Sequence, residues 1–209
     1  MTSARWAAMA TAALALGSAA LSACGTTSAA SRADSSSEGV ALSDNIRQKK
    51  SGNEKVTEYD LSGDKNPDVW VYTVTAKGAD GKDVEKVVRK ELDINFDGRV
   101  DISRTYDENE QLSVEKLDLD FDGKVDQVNY FEKGVVVRKE RDLTATGKPS
   151  LWLHYEKGKL VRKERDTNGD GKVDYWEYWE GDQVDRIGED LDGDGNVDKW
   201  TKNPNSTEQ

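Results

Sequence analysis

Short runs rich in aromatic and β-branched residues recur along the chain: Val69-Trp70-Val71-Tyr72, Val125 to Phe131, Leu151-Trp152-Leu153-His154-Tyr155, and Val173 to Trp179. Polar turns follow, as at Glu108-Asn109-Glu110, Glu132-Lys133-Gly134, Glu156-Lys157-Gly158 and Glu180-Gly181-Asp182. A second run then returns: Val84 to Leu92, Leu112 to Leu117, Val135 to Arg141, Leu160 to Arg165, Val184 to Ile187. Side chains of this kind fit a pleated surface, and two such runs about a Gly-containing turn make a β-hairpin. The pattern predicts an all-β fold: an antiparallel meander of about five 24-residue hairpin repeats joined by Asp-rich loops. Loops are expected at one end of the strands and hairpin turns at the other.

Within the outgoing runs the large residues alternate. Counted from the first Asp of each loop, position 11 is Trp70, Ser103, Val128, Trp152, Trp176 and Trp200, and position 13 is Tyr72, Thr105, Tyr130, His154 and Tyr178. Positions two apart share a strand face, so stacked repeats align these side chains in a stripe. The first reading is that the stripe is the core, since aromatics carry much of core burial. The second is an exposed stacking surface for a glycan or peptide, with Trp70, Trp152, Trp176 and Trp200 as its platforms. The returning runs, such as Arg138-Lys139-Glu140-Arg141, are expected to be solvated or edge-facing.

The loops set the period. First aspartates stand at 93, 118, 142, 166 and 190, in steps of 25, 24, 24 and 24. Asp93, Asn95, Asp97 and Asp101 occupy positions 1, 3, 5 and 9, with Gly98 at position 6. Asp118, Asp120, Asp122 and Asp126 repeat this with Gly123. Asp166, Asn168, Asp170 and Asp174 do so with Gly171, and Asp190, Asp192, Asp194 and Asp198 with Gly195. Oxygen donors at 1, 3, 5 and 9 about a sharp glycine turn suit a hard cation such as calcium, the backbone carbonyl of position 7 (Arg99, Lys124, Lys172, Asn196) adding a further ligand. About four sites are expected. The unit at Asp60 is looser, and that at Asp142 has Thr144, Thr146 and Ser150 where carboxylates stand elsewhere, so both are read as degenerate. Without soft or imidazole ligands, zinc and copper are disfavoured. Asp turns without metal are the alternative, since Asp also caps backbone amides.

The 166 loop resembles EF-hand calcium loops through position 12, where Glu177 falls at the bidentate position. The resemblance is confined to the loop, which is also similar to those of dockerins, thrombospondin repeats and integrin-type propellers. The flanks, Lys159 to Lys163 and Tyr175 to Trp179, are strand-like instead of helical. The other loops carry Arg104, Asn129 and Thr201 at position 12, and Glu91, Glu115, Glu140 and Glu164, just before each loop, are alternative donors from a neighbouring strand.

Composition extends the picture at the N-terminus. Residues 1–23 read as a secretory signal with a weakly polar Ala/Leu run. It ends in Leu21-Ser22-Ala23-Cys24, which resembles the lipobox of bacterial lipoproteins. That resemblance implies lipidation of Cys24, the one cysteine of the chain, and Gly25 after it implies an outer-membrane or cell-surface address. Residues 24–53 are expected to be a flexible tether, 54–204 the repeat domain, and 205–209 a disordered tail. The net charge of −11 argues against a nucleic-acid partner, leaving the membrane and an envelope glycan or protein.

Catalytic constellations are sparse. His154, the single histidine, sits in a strand and reads as a core or cross-strand residue, and no nucleophile elbow, phosphate loop or zinc triad occurs. The expected function is non-enzymatic: a calcium-binding, membrane-anchored envelope lipoprotein acting as a structural or interaction module. The alternative is a glycan- or peptide-binding module using the aromatic stripe, with calcium purely structural.

Overall fold

A computed structural model describes residues 40–204. The signal, Cys24, the first part of the tether and the tail from 205 lie outside the described residues. Among the described residues fourteen strands form one antiparallel sheet in strict chain order. They are β1 (Val40–Ser43), β2 (Ile46–Ser51), β3 (Glu54–Tyr59), β4 (Val69–Lys77), β5 (Asp83–Leu92), β6 (Ile102–Tyr106) and β7 (Leu112–Leu117). The rest are β8 (Gln127–Glu132), β9 (Val135–Arg141), β10 (Leu151–Glu156), β11 (Lys159–Arg165), β12 (Tyr175–Glu180), β13 (Gln183–Glu189) and β14 (Lys199–Lys202). The expected meander is therefore the fold. No helix among the described residues is long and apolar enough to cross a membrane.

Two expectations change. The sheet begins earlier than expected, because β1 and β2 occupy the second half of the segment assigned to a tether. Alternation in Ile46-Arg47-Gln48-Lys49 is half-exposed and charged, which disguises a strand as linker. The aromatic stripe is also not a core. The sheet is a single layer, and among the described residues only Val56 and Leu151 are buried hydrophobics. Periodicity reveals which residues share a face but not whether a second layer covers it.

Register makes the two faces explicit. Across β3 to β14 one row runs Glu58, Trp70, Glu91, Ser103, Lys116, Val128, Glu140, Trp152, Glu164, Trp176, Gly188 and Trp200. Two residues further along each strand, on the same face, Tyr72 meets Arg89, Tyr130 meets Arg138, His154 meets Arg162 and Tyr178 meets Arg186. The opposite face carries Val69, Leu92, Ile102 and Leu117 in one row and pairs such as Arg104–Glu115 and Lys163–Glu177 in the next. With no core to share, cross-strand pairs are the unit of stability, and each repeat leans on its neighbours. The basic returning strands are thus interior strands with partners on both sides, not edges.

The repeats share a device. After position 13 of each outgoing strand the pairing slips by one, leaving an extra residue in the returning strand: Val88, Ser113, Val137, Val161 and Asp185. A bulge at a fixed place increases local twist equally in every repeat. Two-residue turns close the hairpins at Lys133-Gly134 (φ 51° and 77°) and Lys157-Gly158 (φ 52° and 79°). Positive φ at both positions is the twist-matched turn that hairpins favour.

Candidate metal sites

The Asp-rich loops stack along one edge of the sheet. The backbone N–H of each loop's first residue bonds the carbonyl of the preceding loop's ninth: Asp93 to Asp68 (2.8 Å), Asp118 to Asp101 (2.8 Å), Asp142 to Asp126 (2.8 Å), Asp166 to Ser150 (3.0 Å) and Asp190 to Asp174 (3.0 Å). Position is therefore fixed by the ladder before any side chain acts.

Inside a loop the carboxylates collect the backbone amides. In the 93 loop, Asp93 Oδ1 accepts from Phe96 N (2.7 Å) and Oδ2 from Gly98 N (2.7 Å). Asp101 Oδ2 accepts from Ile94 N (2.7 Å) and Asn95 N (3.2 Å). Asn95 Oδ1 takes Asp97 N (3.0 Å), and Asp97 Oδ1 takes Arg99 N (2.9 Å). The same bonds recur at 118, 166 and 190, with Asp126, Asp174 and Asp198 in the place of Asp101. Turning the amides inward requires left-handed backbone at positions 4 and 6. Gly98 (φ 87°) supplies it freely, whereas Phe96 (φ 63°) bears a steric cost of about 1–2 kcal/mol that its bond to Asp93 offsets.

Bonds of this kind favour the ionised form at Asp190 and Asp122. Burial, the largest single influence on Asp190, pushes its carboxyl up. The amides of Gly195, Gly193, Asp192 and Asp194 together outweigh it and hold the group below the usual range. Asp122 is lowered first by the Lys124 side chain and then by the Lys124 amide. An ionised carboxylate has about four lone-pair sites, so one that accepts amides still has capacity for a cation.

Carboxylate oxygens converge in three loops. Asp93, Asp97 and Asp101 place one oxygen each within 4.8 Å of one another, as do Asp118, Asp120 and Asp122, and Asp190, Asp192 and Asp194. The first triplet is distinctive. Asp101 is only 2 % exposed, and its Oδ1 has no hydrogen-bond partner. A buried carboxylate oxygen without a donor carries a large desolvation cost unless a cation satisfies it. Three hard oxygens with an exposed member, Asp97, as the way in fit a divalent ion.

Other sequence-based assignments fare differently. Asp166, Asp170 and Asp174, in the loop with the fullest EF-hand pattern, are not among the converged triplets, although Asn168 Oδ1 takes Asp170 N (2.8 Å) as Asn95 takes Asp97 N in the 93 loop. Glu177 is turned away from this loop, binding Lys163 Nζ (3.0 Å) and Trp179 Nε1 (3.2 Å) on the sheet face. Strand alternation separates position 12 from position 9. The alternative glutamates are likewise engaged elsewhere. Glu91 accepts from Tyr72 Oη (2.7 Å), Glu140 pairs with Arg138 and Tyr130, Glu164 with His154 (3.0 Å) and Arg162 (3.0 Å), and Glu115 with Arg104 (2.8 Å). Partial burial and then Glu91 push the Tyr72 phenol up to about 12. His154 is a cross-strand residue.

The degenerate 142 loop keeps the form with weaker groups: Ser150 Oγ accepts from Leu143 N (3.2 Å), and Thr144 Oγ1 bonds Asp142 (2.9 Å). Sequence reasoning missed the side chains of position 7. Arg99 reaches the Asp122 carbonyl (3.3 Å), Lys124 the Ala145 carbonyl (3.1 Å) and Lys172 the Gly193 carbonyl (2.7 Å). Each base clasps the next loop. A basic residue at a fixed loop position, 24 or so residues apart, was the available signal.

No known protein family's profile matches the chain, and no curated protein does. Among solved structures, accessory secretory protein 1, 2 and 3 of Streptococcus pneumoniae is similar at 14% identity and TM-score 0.26, covering 61% of this chain and 20% of that one. A GtfA/B complex is similar at 13% identity and TM-score 0.30, covering 78% and 22%. The chain thus spans about a fifth of the length of each, and likenesses of this size carry no argument about function.

Proposed function

We propose that this protein is a calcium-binding lipoprotein of the bacterial envelope, a structural or interaction module in which metal-filled loops stiffen a single-layer sheet. The observation that carries the calcium reading is the orphaned, buried Oδ1 of Asp101 beside Asp93 and Asp97. Calcium accepts irregular oxygen cages, whereas magnesium demands near-ideal octahedral geometry and keeps its water. Asp93, Asp97 and Asp101 hold the ion in the first loop, and the Asp118 and Asp190 triplets hold theirs. The ion supplies charge neutralisation where three carboxylates otherwise repel. His154 and the strand residues Glu91, Glu115, Glu140 and Glu164 are occupied in pairs on the sheet faces, which supports a binding role over catalysis.

Titration calorimetry of the purified chain tests this. Calcium gives saturable heat at about 0.1–1 mM, the range of extracellular modules, and magnesium gives much less. No heat with calcium at several millimolar leaves the loops as amide-capped turns and ends the reading. The anchor is tested separately. Cys24→Ala releases the protein from the membrane fraction or leaves it unprocessed, and a fatty-acid analogue labels only the wild type. Label on the Cys24→Ala chain removes the lipoprotein part of the proposal and leaves the metal part standing.

A further inference from the structure

One face of the sheet repeats a three-residue cluster. An aromatic or His at position 13 lies beside an Arg of the returning strand, and a Glu two residues on neutralises that Arg. The clusters are Tyr72–Arg89–Glu91, Tyr130–Arg138–Glu140 and His154–Arg162–Glu164. The 93 unit has no such cluster, since Thr105 faces Val114 there and Lys116 stands in the glutamate's place, and the Tyr178 unit departs in a different way. Tyr178 and Arg186 are present, but the glutamate is replaced by Gly188. Among the described residues Arg186 makes no ion pair, and it is exposed where its three counterparts are half-buried.

Arg186 is nonetheless ordered by its neighbours. Its guanidinium carbon stands 4.8 Å from the Tyr178 ring centroid and 5.3 Å from that of Trp200. Those two rings lie 5.7 Å apart, tilted by 55°. Gly188 makes the arrangement possible, because a Cβ there would come within 3.1 Å of Trp200 Cζ3. The missing glutamate thus does two things: it leaves a cation without its carboxylate and lets an indole lean over the strand. A stacked guanidinium is held in place with its N–H edge open, ready for two parallel bonds to a carboxylate.

Trp200 is 51 % exposed, and Trp152, Trp176 and Trp200 share one row, each two strands from the next. Strand separation puts them about 10 Å apart. A linear saccharide presents ring faces at regular intervals and can use such a row. A peptide, by contrast, draws affinity from main-chain bonds to a sheet edge, which this face does not offer.

We propose that Arg186, Tyr178 and Trp200 form a binding site for an acidic saccharide, in which Arg186 takes a sugar carboxylate and the indole of Trp200 stacks on the ring, with Trp176 and Trp152 as further platforms. The site is separate from the Asp loops and does not depend on calcium filling them.

The test uses the full chain, a galacturonic-acid tetrasaccharide and its neutral galactose counterpart, followed by calorimetry and indole NMR, with chelator and with calcium. The acidic tetrasaccharide binds in both conditions and shifts the Trp200 indole signal, while the neutral one binds at least about tenfold more weakly, a difference of about 1.4 kcal/mol. Arg186→Gln and Trp200→Ala each lose tenfold or more. Gly188→Glu supplies the internal carboxylate of the three intact clusters and loses binding. Equal binding of both saccharides, binding unchanged by Arg186→Gln, or attachment seen only with calcium overturns the proposal. Arg186→Gln leaves the Gly188 packing untouched, so its result decides the matter even where Gly188→Glu fails to fold.

Discussion

Calcium raises the melting temperature of this protein, and chelator lowers it. An ion that binds only the folded state adds roughly 2.7 kcal/mol at a hundredfold excess over its dissociation constant, per site. For a domain of this size 1 kcal/mol moves the midpoint by about 2–4 °C, so one filled site is worth about 5–10 °C. The effect is large here because the sheet has little else. Its buried hydrophobics among the described residues are Val56 and Leu151, and its acidic loops sit against one another along a single edge. Asp194→Ala removes one converged oxygen and part of the shift. Thr146→Ala, in a loop that lacks a triplet, leaves the calcium increment intact. Differential scanning calorimetry at chelator, 0.1, 1 and 10 mM calcium checks each variant, and a midpoint that does not move between chelator and 10 mM would falsify the metal reading.

The hairpins, the loop stack and the period were legible because each rests on local chemistry. Lys133-Gly134 and Lys157-Gly158 are turns that need left-handed backbone, and Asp93 with Gly98 is a loop that needs both an acceptor and a turn. The shared face of Trp70, Trp152, Trp176 and Trp200 followed from alternation. What covers that face did not, because period two is the same in a sandwich and in an open layer. Glu177 stands off the loop for a related reason. Sequence spacing borrowed from a helical context puts position 12 beside the ion, but in a strand it faces Lys163 across the next rung. The bulge residues Val137 and Val161 look like any other strand valine, so only the register reveals them. β2 was hidden by the half-exposed, charged alternation of Ile46 to Lys49.

The sharpest separation of metal from turn comes at Asp101. Asp101→Ala strips the acceptor from the part-buried amides of Ile94 and Asn95. An unsatisfied buried donor costs about 1–3 kcal/mol, so this variant melts several degrees below wild type even in chelator. Asp101→Asn behaves otherwise. Its carbonyl oxygen still accepts the two amides, and its NH₂ takes the position of the unpartnered Oδ1, where it donates to Asp93 or Asp97. One negative charge leaves a crowded triplet, so repulsion falls. In chelator, then, Asp101→Asn melts at or above the wild-type midpoint, while with 10 mM calcium it falls below it because the first loop no longer holds the ion. If the loop binds no metal, calcium changes nothing, and the offset between Asp101→Asn and wild type is the same in 10 mM calcium as in chelator. The crossing of the two melting curves between chelator and calcium is the expected result. Parallel curves mean that the orphaned oxygen of Asp101 is not a ligand.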